Sequence, residues 1–222
     1  MTLLGLDTST PAASACVLCA DGDAFEVTPP AERLGRPPAH ATELMPAVAE
    51  VMERAGADWA DLKAIAVGVG PGTFTGLRIG IATARALATA AKLPLRRVSS
   101  LAALAAGIEG SLRLPLIDAR RGEVFAALFD GERELWPPCA ASPEELLARL
   151  GQGGFRPLAA GDGSLRFRGM LEEAGIPVAP QDSTTHVVSA LHICRLAADA
   201  QDEAPEAVLP EYLREPDAQP QQ

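Results

Sequence analysis

This 222-residue chain carries 29 acidic residues against 19 basic ones, a formal net charge of −10. It therefore has no broad electropositive surface with which to grip a phosphate backbone, and any contact with RNA has to run through a partner. Asp7 interrupts the first apolar stretch and no window of about 20 residues is free of charge, which excludes a secretory leader and a membrane span and implies a cytoplasmic protein.

Taken in chain order, apolar runs at 3–6, 13–19 and 24–27 read as strands, followed by a linker carrying Pro29, Pro30, Pro37 and Pro38. A helix is expected over 42–55, where Leu44, Val48, Val51, Met52 and Ala55 make one apolar stripe and Pro46 kinks the start. Residues 64–69 are small or β-branched, as in a central strand covered on both faces. Gly70, Pro71 and Gly72 then force a turn into a helix. Thr73 or Thr75 serves as its N-cap, the hydroxyl accepting from an otherwise unpaired amide, and the remaining free amides could hold an anion. Strand-to-helix turns are also glycine-rich for purely structural reasons. No lysine between Lys63 and Lys92 completes a P-loop, and Thr73 and Thr75 stand where a dinucleotide fingerprint needs glycine.

Along this helix Gly76, Gly80, Ala84 and Ala88 recur every four residues and leave one face almost bare. Two interior glycines cost about 1 kcal/mol each relative to alanine, so the bare face should be used, either in tight packing within the domain or against another chain. Arg78 and Arg85 rule the segment out as a membrane helix. Further on, a strand at 96–98, a helix at 101–106, a strand at 112–117 with a hairpin partner at 123–129, and helices at 143–150, 165–174 and 187–200 are expected. The last helix is free to pack back on the first half. From Asp202 the chain is Pro- and Gln-rich and expected to fray, apart from a docked segment at 208–213.

Cys16 and Cys19 have C-x-x-C spacing but fall in a strand, where residues three apart point to opposite faces, so they read as buried small hydrophobes. His186 and His192, six apart on a helix, diverge by about 240°. His40 reads as a local hydrogen-bonding residue, and no G-x-S-x-G nucleophile elbow is present.

The two halves begin alike. LLGLDTSTPAASACVL and LPLIDARRGEVFAALF each run apolar strand, aspartate, polar turn, apolar strand, which places Asp7 and Asp118 in matching positions. A duplicated lobe with a cleft between the copies resembles the actin and Hsp70 nucleotide-binding architecture, an α/β fold in which each lobe is a mixed sheet flanked by helices. AAGDGSL, with Gly161 and Gly163, resembles that superfamily's adenosine-side motif. The expected lobes are 1–106 and 107–201, with a tail at 202–222. Active relatives place glycines just after the aspartates so that amides reach the phosphates. Here Thr8, Ser9, Thr10 and Pro11 follow Asp7, and Ala119, Arg120 and Arg121 follow Asp118, so Asp7, Thr8, Asp118, Gly161 and Gly163 outline a vestigial nucleotide cleft that binds weakly or not at all. Arg120, Arg121 and Glu123 form either a solvated turn or a contact with a partner or nucleotide.

Residues 70–81, GPGTFTGLRIGI, together with LLGLDTST, HATELMP, IDARRGEVFAA and PEYLR, resemble the signature of the bacterial TsaB family, also called YeaZ, over nearly the whole chain. That resemblance implies a non-catalytic partner subunit of a TsaD-like catalytic subunit, in the machinery that installs threonylcarbamoyl on the adenosine beside the tRNA anticodon. It further implies a TsaE-like small ATPase reached through the complex and tRNA met only indirectly. No cofactor would be tightly bound, although ATP or ADP with Mg could sit at the subunit junction. The catalytic relative carries two metal-binding histidines, four apart, where this chain has Ser100 and Leu104, and leucine cannot ligate a metal, so no metal site and no independent activity are expected. The family pairs through first-lobe helices, which points to a face around Leu44, Val48, Phe74, Gly76, Ile79, Gly80, Thr83 and Ala84. The same face would form a homodimer when the partner is missing. An ATP-dependent small-molecule kinase of the same fold, with Asp7 and Asp118 handling magnesium and phosphate, is the alternative from another class.

Overall fold

The computed structural model describes residues 1–214. Two mixed sheets carry the duplication seen in the sequence. In the first, β1 (Thr2–Asp7), β2 (Ser14–Leu18) and β3 (Ala24–Val27) form an antiparallel meander, and β4 (Leu62–Gly70) and β5 (Leu95–Ser99) continue it in parallel, in the order β3-β2-β1-β4-β5. In the second, β6 (Leu112–Arg120), β7 (Glu123–Asp130) and β8 (Arg133–Ala141) repeat the meander, and β9 (Leu158–Ala160) joins β6 in parallel, in the order β8-β7-β6-β9.

The strands alternate apolar residues between two buried faces, as central strands must. Leu4, Leu6, Val17, Ile65 and Val67 meet α1 (His40–Ala55) and α2 (Phe74–Ala91). The other face, with Leu3, Cys16, Ala64 and Ala66, meets α3 (Ser100–Ala106) and the late helix Ala190–Ala197, and these pack in turn on Ile117, Phe125, Ala127 and Phe129 of the second sheet. Beyond that sheet, Leu116, Ala126 and Leu128 meet α4 (Pro143–Gly153) and the short helix Arg168–Glu173. Each fully buried leucine in these layers stabilises by about 1.5–3 kcal/mol. The middle helical layer is shared, so the expected boundary at 106 and 107 does not separate two independent cores, and the last helix packs back on β1 and β2. Gly5 makes that approach possible, since a Cβ there would stand 2.6 Å from both Ala190 O and Cys194 Sγ.

The differences from the sequence reading are local. The helix expected over 165–174 is broken at Phe167 into α5 (Asp162–Arg166) and α6 (Arg168–Glu173). That expected over 187–200 starts later as α7 (Ala190–Ala197), because the Ser189 hydroxyl caps it by accepting from His192 N–H at 3.3 Å. His186 therefore lies in a separate 3-10 turn, Thr184–His186, and shares no helix with His192. The proline linker holds a 3-10 helix, Ala31–Gly35. Strands β8 and β9 were not read from the sequence, because Pro137 and Pro138 disguise the first, an edge strand that tolerates proline, and the second has only three residues. Cys16, in β2, packs in the shared core, whereas Cys19, one residue past the strand, packs against the cluster on the sheet's other face. Among the described residues no helix is long and apolar enough to cross a membrane.

The tail docks earlier than expected. Glu203 and Leu95 exchange two backbone hydrogen bonds, 2.8 and 3.0 Å, Val208 is buried, and Glu211 N–H donates to Val69 O at 2.8 Å. Arg214 then reaches the second lobe, donating to Glu123 at 2.6 Å and to Ala119 O at 3.0 Å, so this segment straps the lobes together. The fraying expected of the last residues, 215–222, lies outside the described residues.

Candidate interlobe site and docking face

The two aspartate turns are not equivalent. Asp7 is buried and accepts from Ser9 N–H and Oγ at 2.8 and 2.6 Å and from Ser100 Oγ at 2.9 Å. Burial pushes its carboxyl up to about 6 against the pull of those three bonds. Thr8, also buried, donates to Gly76 O at 2.8 Å. Of the residues expected to outline a vestigial nucleotide cleft, Asp7 and Thr8 line neither of the two clefts beside the Asp118 hairpin.

Asp118 does reach the cleft, where it is clamped by arginines. Its carboxylate accepts from Arg120 N–H and Nη1 at 2.9 and 3.1 Å and from Arg166 Nη1 at 2.9 Å, while its own N–H donates to Asp162 at 3.0 Å. Burial raises Asp162 to about 6, with the Asp118 charge acting in the same direction. Gly161 N–H donates to His186 Nδ1 at 3.1 Å, and His186 Nε2 lies 2.9 Å from Pro180 O, so this histidine is a structural brace. Gly163 is packed against the main chain of Leu116 and Ile117. The fold thus gathers Asp118, Gly161 and Gly163 on one side, while Asp7 and Thr8 stay tied to Ser100 and α2 on the other. Arg120 and Arg121 both take left-handed conformations, φ 64° and 53°, to make the turn that Gly122 completes.

Two clefts flank the Asp118 hairpin. One, of about 580 Å³, lies between the starts of α1 and α2, the hairpin and the C-terminal strap. The other, of about 930 Å³, is lined by residues of both charges, among them Glu32, Arg36, Arg120, Asp162 and Arg166. Thr73 occupies the N-cap of α2, yet its hydroxyl makes no capping bond. His40, expected to hydrogen-bond locally, is buried in the first turn of α1 with neither ring nitrogen partnered.

The expected docking residues divide. Leu44, Val48, Gly76, Gly80 and Ala84 are buried in the chain's own core, whereas Phe74, Ile79 and Thr83 are exposed or half-buried. The bare stripe faces inward because the turn after β1 lies beneath it. A Cβ on Gly76 would overlap the Thr8 carbonyl oxygen, and one on Gly80 would overlap the Thr8 hydroxyl. Of the two uses for that stripe, packing within the domain is the one realised. The opposite ridge of α2, Phe74, Arg78, Ala82 and Ala86, is exposed, as are Ala41, Met45 and Ala49 of α1, so the outward residues of the two helices are mostly small or apolar with one arginine.

The model of the family "TsaD: tRNA N6-adenosine threonylcarbamoyltransferase" matches residues 37–220. The tRNA threonylcarbamoyladenosine biosynthesis protein TsaB of Escherichia coli (strain K12) is 32% identical over 96% of this chain and 95% of its own length. The chain belongs to the TsaB family. YeaZ from Pseudomonas aeruginosa, a solved structure, superposes with a TM-score of 0.74 at 28% identity, covering 96% of this chain and 99% of that one. A second Pseudomonas aeruginosa structure, described as having similarity to peptidase YEAZ, gives a TM-score of 0.79 at 29% identity, with the same coverage. The two-lobed actin/Hsp70-like fold follows from these matches and from the repeated sheets. At the two positions where the resemblance puts histidines in the catalytic relative, this TsaB-family chain has Ser100, whose hydroxyl is spent on Asp7, and Leu104, which is buried in the shared core. Among the described residues no three metal-ligating side chains come together.

The sequence reading missed the unpartnered His40, the brace at His186 and the clamp on Asp118. The strap was foreshadowed by the docked segment expected at 208–213 and by PEYLR, but its Arg214 contacts with the second lobe were not.

Proposed function

We propose that this chain acts in threonylcarbamoyladenosine formation on tRNA as the non-catalytic partner that docks on and activates a TsaD-like catalytic subunit. The observation that carries the reading is the match over 96% of the chain to a protein named for threonylcarbamoyladenosine biosynthesis, supported by Ser100 and Leu104 at the two positions where the resemblance puts metal-binding histidines in the catalytic relative. Docking runs through the outward ridge of α1 and α2, centred on Met45, Phe74, Ile79, Ala82, Thr83 and Ala86. Small side chains let a second helix pair approach closely, and the stacked Phe74–Tyr212 pair, with Arg78 over the Phe74 ring at 3.8 Å, supplies the aromatic and arginine anchors typical of interface centres. The small ATPase and the tRNA are engaged through the complex, and any ATP or ADP with Mg sits at the subunit junction. In isolation the same ridge pairs two copies of this chain.

The test is threonylcarbamoyl transfer to tRNA with purified TsaD-like subunit, small ATPase and threonylcarbamoyl-adenylate, with and without this chain. Turnover should require the chain and survive Asp118→Ala, whereas Ala82→Glu should weaken pairing by at least about tenfold while leaving the melting temperature unchanged. Pairing that persists in Ala82→Glu would move the interface elsewhere. The kinase alternative needs Asp7 at the phosphates. Its burial among Ser9 and Ser100 counts against that, and Mg-ATP binding that is lost in Asp7→Ala would revive it.

A further inference from the structure

Among the described residues six buried side-chain polar atoms lack a hydrogen-bond partner, and three of them, His40 Nδ1, His40 Nε2 and Thr73 Oγ1, meet at one place. That place is the N-terminus of α2, an 18-residue helix whose cap residue makes no side-chain bond and whose first turn has no acidic residue. His40 is 2% exposed, and its Nε2 faces the first turn, since a Cβ on Gly76 would stand 3.3 Å from it and 2.5 Å from Thr73 Oγ1. Buried polar groups without partners are costly and rare, and a helix N-terminus adds orphan amides and a positive dipole end to the same spot. His40, Thr73, Phe74 and Thr75 all line the 580 Å³ cleft.

We propose that His40, Thr73 and the first-turn amides of α2 form a binding site for a carboxylate monoanion carried on an apolar stem. The donors are neutral or carry only partial charge. Burial, reinforced by Arg33, lowers the pKa of His40 and keeps the ring uncharged, so it offers one N–H, and the Thr73 hydroxyl offers another. The cleft's arginines are committed, Arg120 to Asp118 and Arg214 to Glu123, and the carboxylates of Asp118 and Glu211 in the walls disfavour a phosphate dianion. Phe74, stacked on Tyr212 at 5.2 Å between ring centroids, gives the stem an apolar wall. The carboxylate comes either from a free small molecule or from an acidic side chain of a docked protein. The site belongs to the isolated chain and does not depend on the docking reading.

The experiment is titration of the full chain with benzoate, and separately with inorganic phosphate, following the backbone amides of Thr75 and Gly76 and the His40 ring by NMR. Benzoate should shift these signals saturably, and Thr73→Val should bind at least about tenfold more weakly. Because the hydroxyl has no partner in the free chain, the same variant should melt at or above the wild-type temperature, which separates lost binding from lost folding. If benzoate is silent but the TsaD-like subunit shifts the same amides in wild type and not in Thr73→Val, the carboxylate belongs to the partner protein. Amides that move with neither, tighter binding of phosphate than of benzoate, or undiminished binding in Thr73→Val would each overturn the proposal.

Discussion

Gly76 and Gly80 sit one turn apart on the same face of α2, and the structure gives them different obstacles. At an exposed helix position, glycine to alanine stabilises by about 1 kcal/mol. At Gly80 the new methyl would overlap the Thr8 hydroxyl, so the side chain must swing away and release its 2.8 Å hydrogen bond to Gly76 O. The broken buried bond costs about 1–3 kcal/mol and residual overpacking about 1–3 kcal/mol, which together outweigh the propensity gain and leave Gly80→Ala less stable by about 1–5 kcal/mol. At Gly76 the methyl would overlap the Thr8 main-chain oxygen, which no side-chain rotation can move. Thr8→Ala therefore distinguishes the two. It removes the obstacle at Gly80, leaving its own Cβ at 3.4 Å, and should restore about 2 kcal/mol in the Gly80→Ala background, while giving Gly76→Ala no relief. A double-mutant cycle by denaturant unfolding measures both couplings. Gly80→Ala found stabilising, or equal rescue of both variants by Thr8→Ala, would refute inward packing of the stripe and return it to the outer surface.

Asp7, lifted from 3.8 to about 6 by burial, gives the folded state a tighter hold on a proton than the unfolded chain has. Its contribution is thus fully present below pH 4 and lost as pH rises through 6, amounting to about 3 kcal/mol across that window. Asp7→Asn should flatten this part of the pH–stability profile, as read from unfolding midpoints between pH 4 and 8, and a variant profile parallel to wild type would show that the carboxyl stays ionised in its serine cage. Arg214→Ala removes the strap's link to Glu123 and Ala119 O. Both ends of this ion pair are partly exposed, so global stability should fall by less than about 1 kcal/mol, while hydrogen exchange of 208–213 should accelerate, and unchanged exchange there would mean that Val208 and the Glu211 backbone bond hold the strap by themselves.

What the sequence disclosed and what it hid follow from the range of the interactions involved. Strands β1 to β7 were legible because runs such as Ala64 to Val69 are apolar on both faces, and each expected segment falls within or at the edges of its strand. The matching turns at Asp7 and Asp118 announced the duplicated sheets, which the two meanders repeat. Beyond these local patterns the sequence anticipates the return of the last helix and a docked segment at 208–213, but not which side chains meet when they lie far apart along the chain. The four-residue rhythm of α2 is real, but its other faces carry Ala82, Ala86 and Ala90, so composition could not say which side meets Thr8, 68 residues away. The same holds for Asp7. The sequence places it in a strand-end turn of a vestigial cleft, whereas its burial and its bond to Ser100, 93 residues on, turn the carboxyl inward. At the position where the resemblance puts a histidine in the catalytic relative, Ser100 spends its hydroxyl on the aspartate, so a contact between residues 93 apart decides which way the Asp7 carboxyl faces.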